Sequence, residues 1–404
     1  MNLLFLSLLD FDSIEERNIY TDLLREFRNH KYHVYAISPS ERRKGKKTFV
    51  VNEDGTSILK LRIGNIQKVN LIEKGISTLS IESKFIKGIR KYFSNVKFDL
   101  VLYSTPPITF CNVIQYVKRR DGACTYLMLK DIFPQNAVDI GILSTTGVKG
   151  IVYQYFRKRE KKLYAISDRI GCMSQANVDY IVQHNPSINA DIVEICPNSV
   201  EVVDMSVDVK TRESIRKKYN LPLDKLIFVY GGNLGKPQGI PFLIQCIKSQ
   251  KENGDVFFLI VGDGTEYHLL DEFVRGETQK NVKLMKHLPK EEFDILVGAC
   301  DVGMIFLDHR FTIPNFPSRL LSYMQAKIPV LAVTDTATDI GKVIVENGFG
   351  WWCESNDVNY FSNVLSEIMT ERNAKRMSEL IYGFLLTEYS TSKCYKIITE
   401  ALEL

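Results

Sequence analysis

Short apolar runs alternate with longer amphipathic stretches along the whole chain, and this pattern restricts the fold more than any other feature. Compact apolar runs suit strands buried on both faces of a parallel sheet; a 3.6-residue period suits the helices that cover such a sheet. In the first half the strand-like runs are MNLLFLSL, YHVYAIS, DLVLYST, CTYLML and RIGCMS. In the second they are KLIFVYG, VFFLIVG, VKLM, VGMIFL and PVLAV. Helical periodicity fills the intervals: Ile19, Leu23, Leu24 and Phe27 share one face of 18–29, and further helices are expected at 243–251, 267–274, 290–298 and 319–325. The reading is α/β with parallel sheets.

A chain of 404 residues exceeds what one core organises, so two domains are expected. CPNS at 196–199 and the polar stretch 201–210 read as the linker. The division is then 1–200, 201–385, and a final amphipathic helix within 386–404 that packs back towards the first domain. Two such halves leave a cleft, and ligands bind where the carboxyl ends of strands meet a crevice.

Composition closes off several classes. The apolar start, residues 3–9, is broken by Ser7 and stopped by Asp10, too short to span a bilayer and without the basic segment of a signal peptide. Eight cysteines lie scattered, with neither Cys-x-x-Cys nor a cysteine–histidine pairing at zinc spacing, which favours a reducing compartment and hence the cytosol. The net charge of +4 conceals an asymmetry: residues 1–200 carry 29 Lys/Arg against 20 Asp/Glu, the remainder 23 against 28. A basic first half suits an anionic membrane surface, a phosphate-bearing substrate or nucleic acid, and no nucleic-acid motif accompanies the charge.

The sharpest local signal is IFVYGGNLGKPQGI, a strand followed by Gly231, Gly232, Asn233, Leu234, Gly235 and Lys236, then a helix. Glycines here let a backbone approach a phosphate at a helix N-terminus; a turn needing positive φ is the simpler explanation. Neither G-x-G-x-x-G nor a P-loop fits the spacing. In IPNFPSRLLSYMQAKIPVLAV, Ser318 is a candidate N-cap, and Arg319 opposes the helix dipole in the first turn. A residue so placed suits an anionic partner or a neighbouring carboxylate. Asp131 follows a strand in TYLMLKDIFPQNAVDIG, where it suits proton transfer or turn capping. Asp10-Phe11-Asp12 resembles a metal-binding D-x-D, but no second ligand cluster supports a metal. VGDGTE at 261–266 reads as architecture, and His184 and His287 as packed or surface residues. Residues 84–93 (KFIKGIRKYF, Lys84 to Phe93) and 149–164 (Lys149 to Tyr164) interleave apolar residues with cations, which suits either a membrane interface or a helix packed on its own sheet.

Together these segments resemble retaining glycosyltransferase family four, of GT-B fold: two Rossmann-like domains with parallel sheets facing a central cleft. The closer likeness is to the O-antigen and capsule branch, such as N-acetyl-L-fucosamine transferases. It rests on DFDSIEERNIYTDLLREF, KDIFPQNAVDIGIL, CMSQANVDYIVQHNP with ICPNSVE, YGGNLGKPQGI, IVGDGTE and FPSRLLSYMQAKIPVLAV, in that order over nearly the whole chain. The resemblance implies a UDP-sugar donor held mainly by the second domain and a polyprenyl-diphosphate-linked saccharide acceptor held by the first. It further implies no cofactor or metal, retention of anomeric configuration, and a peripheral position on the cytoplasmic face of the membrane. By position, Gly232, Asn233, Lys236 and Gln238 face the donor diphosphate, with Ser318 and Arg319 opposite and Ser322 near the ribose. His287 and Leu288 line the base, Asp131 stands beside the reacting sugar, and Glu16 and Arg17 lie near donor sugar or acceptor. The chain departs from the family at Asn233 and Gln238, where an arginine and a lysine are usual. It departs again at Pro314 and Ser322, where two glutamates are usual. A noncatalytic scaffold, an oxidoreductase or a nucleotide-sugar epimerase are the alternatives.

Overall fold

A computed structural model describes every residue except 66–70, 277–279 and 372–373. The chain divides into two compact units, one of residues 1–201 with 391–404 and the other of residues 202–390.

The first unit is built on β1 (Asn2–Leu6), β2 (His33–Glu41), β3 (Phe49–Glu53), β4 (Thr56–Ile63), β5 (Leu100–Ser104), β6 (Cys124–Leu129), β7 (Arg169–Cys172) and β8 (Val193–Ile195). Their order is β3-β4-β2-β1-β5-β6-β7-β8, and only the β3–β4 hairpin is antiparallel. The apolar runs of the sequence are the central strands. The periodicity missed β3, β4 and β8. In β4 the apolar run is broken by Lys60, a lysine with no exposed surface, and β8 is only three residues long. The core joins Leu3, Phe5, Leu100 and Leu102 of the sheet to Leu24 and Phe27 of the helix Thr21–Asn29. The last helix, Thr391–Ala401, completes this core with Cys394 and Ile398; its Tyr395 lies edge-on to Phe27 at 5.0 Å and stacks on His30 at 4.0 Å. The return to the first unit falls at Thr391, because residues 386–388 finish the helix Ala374–Glu388 of the second.

The second unit holds β9 (Leu226–Asn233), β10 (Val256–Asp263), β11 (Val282–Met285), β12 (Val302–Phe306), β13 (Val330–Thr334) and β14 (Gly350–Glu354). All pair in parallel, in the order β11-β10-β9-β12-β13-β14. Here the sequence reading missed β14, whose GWWCE lacks a uniform apolar run. It also carried the linker two residues into a helix, Val209–Lys218, which Asp208 caps by accepting from the Thr211 amide at 2.8 Å.

Each sheet has one point where successive connections depart in opposite directions: between β1 and β5 in the first, between β9 and β12 in the second. Loops leaving the carboxyl ends of such strand pairs line a crevice that no crossover helix covers.

Candidate functional site

In the second unit the fork lies beyond two residue pairs, Val302 with Phe228 and Gly303 with Val229, after which β9 and β12 separate. Gly231, Gly232 and Asn233 end β9 at this point. Gly232 has φ of +120°, a conformation glycine adopts without penalty, and a Cβ placed there would lie 3.7 Å from the Arg319 guanidinium. Arg319 begins the helix Arg319–Gln325 and lies over the Tyr230 ring, 4.4 Å from its centre. Its Nη1 is closed off from solvent and makes no hydrogen bond. An arginine held against an aromatic face beside a bare glycine backbone, with a guanidinium nitrogen unsatisfied, is disposed to take an anionic oxygen.

The loop above is braced from within. Gln238 Oε1 accepts from Asn233 Nδ2 at 2.9 Å and from the Gly235 amide at 3.2 Å. Tyr230 donates its hydroxyl to the Asn233 carbonyl at 2.8 Å. Asn233 and Gln238 thus hold each other, and Gln238 is buried. Lys236 is exposed at the start of the turn Lys236–Gln238. Beyond the fork, the Asp308 amide donates to the Pro237 carbonyl at 3.0 Å, and Asp308 engages Arg310 at 2.7 Å.

The other donor-side residues fall around this centre. Ser322 is half-buried, one turn beyond Arg319. Ser318 precedes the helix with φ of −64° and ψ of −13°, and its side chain caps nothing. That corrects the expectation of an N-cap: a backbone already helical cannot turn its hydroxyl onto the first free amides. His287, exposed, and Leu288, half-buried, follow β11, two strands from β9.

In the first unit Asp131 follows β6. Its Oδ1 accepts from Asn136 Nδ2 at 2.6 Å, and Thr105 Oγ1, beyond β5, donates to its carbonyl at 3.2 Å. Desolvation pushes the Asp131 carboxyl up to about 6, against the lowering hydrogen bond from Asn136. Glu16 is spent locally, its Oε1 accepting from the amides of Asp12 at 2.7 Å and Ser13 at 3.2 Å. Arg17 is half-buried, and its charge acts on Asp22.

Asp10-Phe11-Asp12 is a lysine site. Buried Lys60 lies 2.5 Å from Asp10 Oδ1 and 2.9 Å from Asp12 Oδ1, and it also donates to the Phe11 carbonyl at 2.7 Å. Lys44 and Lys46 hold the same two carboxylates from outside. Burial would raise the Asp10 carboxyl, but the hydrogen bonds from Lys44 and Lys60 win and hold it low. Among the described residues no three His, Cys, Asp or Glu side chains are grouped to hold a metal ion.

The two basic stretches differ. In residues 84–93 Phe85, Ile89 and Phe93 are buried, so the apolar face of the helix Leu71–Tyr92 is used up in the core there, leaving Lys87, Arg90 and Lys91 exposed. In the helix Gly147–Ile166, Leu163 and Tyr164 are buried, while Val148 and Ile151 are 82% and 72% exposed and Val152 and Tyr155 lie open beside them. No helix among the described residues is long and apolar enough to cross a membrane.

The residues that sequence reasoning passed over are Tyr230, Tyr323, Asn136, Thr105 and Lys60. The first three sit inside segments it singled out, but nothing in their spacing says that a hydroxyl or amide turns towards the site.

Residues 211–382 match the model of the family described as Glycosyl transferases group 1. Among curated proteins, a probable glycosyltransferase, WbjE, of Pseudomonas aeruginosa is 24% identical over 303 residues, 74% of this chain and 73% of that protein. A putative colanic acid biosynthesis glycosyl transferase, WcaI, of Escherichia coli strain K12 is 22% identical over 256 residues, 61% of this chain and 60% of its own. Among solved structures, sucrose-phosphate synthase from Thermosynechococcus elongatus superposes with a TM-score of 0.77 at 13% identity, over 100% of this chain and 98% of that one. HepE of Anabaena in complex with UDP-glucose gives 0.71 at 13% identity, over 100% and 99%. The fold is GT-B.

Proposed function

We propose, from a second unit that carries a group 1 glycosyltransferase domain within a GT-B fold, that the protein transfers a sugar from a UDP-sugar in the synthesis of a bacterial surface polysaccharide. One observation carries the donor reading. At the fork of the second sheet Arg319 lies against the bare backbone of Gly232 with Nη1 buried and unpartnered. The diphosphate of the donor would bond the Arg319 guanidinium. Lys236 would add charge, and Ser318, Ser322, His287 and Leu288 would contact the remainder of the nucleotide. WcaI, a putative colanic acid biosynthesis glycosyl transferase, supports a polysaccharide product, and HepE, solved with UDP-glucose, supports a uridine nucleotide.

In this reading the acceptor is a saccharide on a polyprenyl diphosphate, bound by the first unit with Asp131 orienting it or taking its proton. The donor's anomeric configuration is retained, and the hexosyl or N-acetylhexosaminyl class, fucosamine included, stays within the proposal. Transfer needs no metal; the lysines on Asp10 and Asp12 support that, since they already neutralise the pair. The open apolar end of Gly147–Ile166 supports peripheral attachment to the cytoplasmic face of a membrane.

The experiment is titration calorimetry with UDP, GDP and NAD in metal-free buffer. UDP binding alone is expected, and R319A should weaken it about ten- to a hundredfold, the worth of a charge-assisted hydrogen bond. Unchanged affinity in R319A would remove Arg319 from the site. If wild type binds no nucleotide, a noncatalytic scaffold becomes the better account.

A further inference from the structure

Where β9 and β12 part, continuing their ladder by one bond would join the Gly231 amide to the Met304 carbonyl. That bond is not made. The hydroxyl of Tyr323 stands between the two groups, accepting from the Gly231 amide at 3.3 Å and within donating distance of the Met304 carbonyl at 2.9 Å. The Val229 carbonyl lies 3.3 Å from the same oxygen. Tyr323 has no exposed surface. Its ring occupies the space left by Gly303 in β12, where any side chain would collide with it. A glycine in a buried strand weakens that strand unless something needs the room.

We propose that Tyr323 is a positioning residue that replaces one ladder bond and so holds the fork of the second sheet open. Three observations carry the step. Without the hydroxyl two buried backbone groups would be left unpaired, because the ring still keeps the strands from pairing directly. The glycine opposite accepts the ring. The helix that carries Tyr323 also carries Arg319, so one rigid element sets both the width of the crevice and the place of the cation. Tyr230, whose hydroxyl pins the Asn233 carbonyl, anchors the far end of the same loop. The functional consequence rests on the UDP-sugar reading; the structural one does not.

The test is Y323F in the full chain, which keeps the ring and removes the bridge, with Y230F alongside it. Hydrogen exchange of the peptide spanning Gly231 is measured first. Exchange in Y323F should be faster than in wild type, whereas Y230F should leave the Gly231 amide unchanged. Equal exchange in Y323F and wild type would overturn the proposal, whatever the protein binds. Should Y323F lose its cooperative melting transition, wild type still decides: a Gly231 amide exchanging at the random-coil rate would exclude the bridge. UDP affinity and kinetics follow. Y323F is expected to raise the donor KM about five- to tenfold while kcat stays within about twofold, a split that loss of stability alone does not produce. Failure of wild type to bind UDP would count against the donor reading and leave the exchange result standing; wild-type donor KM in Y323F would confine Tyr323 to architecture.

Discussion

At Asp131 ionisation and burial oppose each other. Desolvation raises the carboxyl to about 6, and the Asn136 hydrogen bond keeps it from going higher. A base must be ionised, so kcat/KM should rise along an acid limb with an apparent pKa of about 6. N136A removes a lowering interaction and should shift that limb to higher pH, read from pH–rate profiles of the two proteins. A limb that does not move would separate Asp131 from the observed ionisation. Stability runs the other way. The folded pKa lies above the unfolded one, so this group's contribution is fully present below about pH 4 and is lost as pH rises through about 6. D131N should therefore melt slightly higher than wild type at pH 8 while turning over more slowly. Its sequence position at a strand end was legible; its partners Thr105 and Asn136 come from another loop and a later turn, which no local pattern announces.

At the scale of the element, the two basic helices show how far periodicity reaches. Both interleave apolar residues with cations, and the pattern is the same whether a sheet or a bilayer covers the apolar face. In residues 84–93 Phe85, Ile89 and Phe93 are buried in the core. In Gly147–Ile166 the apolar side of the first turns is open, and the only acidic residue, Glu160, is buried and engaged by Arg157 and Tyr164. Binding to anionic vesicles should thus have two components, one from each helix. The double variant V148S/I151S should lose the part that survives about 0.5 M salt, where the Debye length is only a few ångströms. Neutralising Lys87, Arg90 and Lys91 to glutamine should weaken only the low-salt part. Flotation of the double variant at high salt, equal to wild type, would show that the apolar end does not insert.

At the scale of the molecule, the first unit is closed by residues that arrive nearly two hundred positions later. Cys394 donates its thiol to the Pro197 carbonyl at 3.2 Å, and the Thr391 amide donates to the Val200 carbonyl at 3.1 Å. Truncation after Ser390 removes two fully buried side chains and the Tyr395 contact with Phe27. At about 1.5–3 kcal/mol per buried side chain, the first unit should lose roughly 3–6 kcal/mol and melt well below its present midpoint. Calorimetry of the truncated chain checks this, and an unchanged thermogram would mean that the last helix contributes nothing to the core.

The alternation of apolar runs and amphipathic helices determined the α/β class and most central strands, because burial on both faces leaves a signature in every residue of a strand. Glycine and charge likewise drew attention to the loop after β9 and to Arg319, since a turn glycine and a cation at a helix start are both local features. Lys60, Gly303 and Tyr323 could be assigned only in three dimensions. A buried lysine is tolerable because two carboxylates from another loop meet it, and a strand glycine is useful because a distant tyrosine fills its space. The same holds for which apolar helix face stays uncovered. Each of these depends on what a second segment brings into contact, and a side chain's role in a parallel sheet is set by neighbours that the chain reaches only after a crossover.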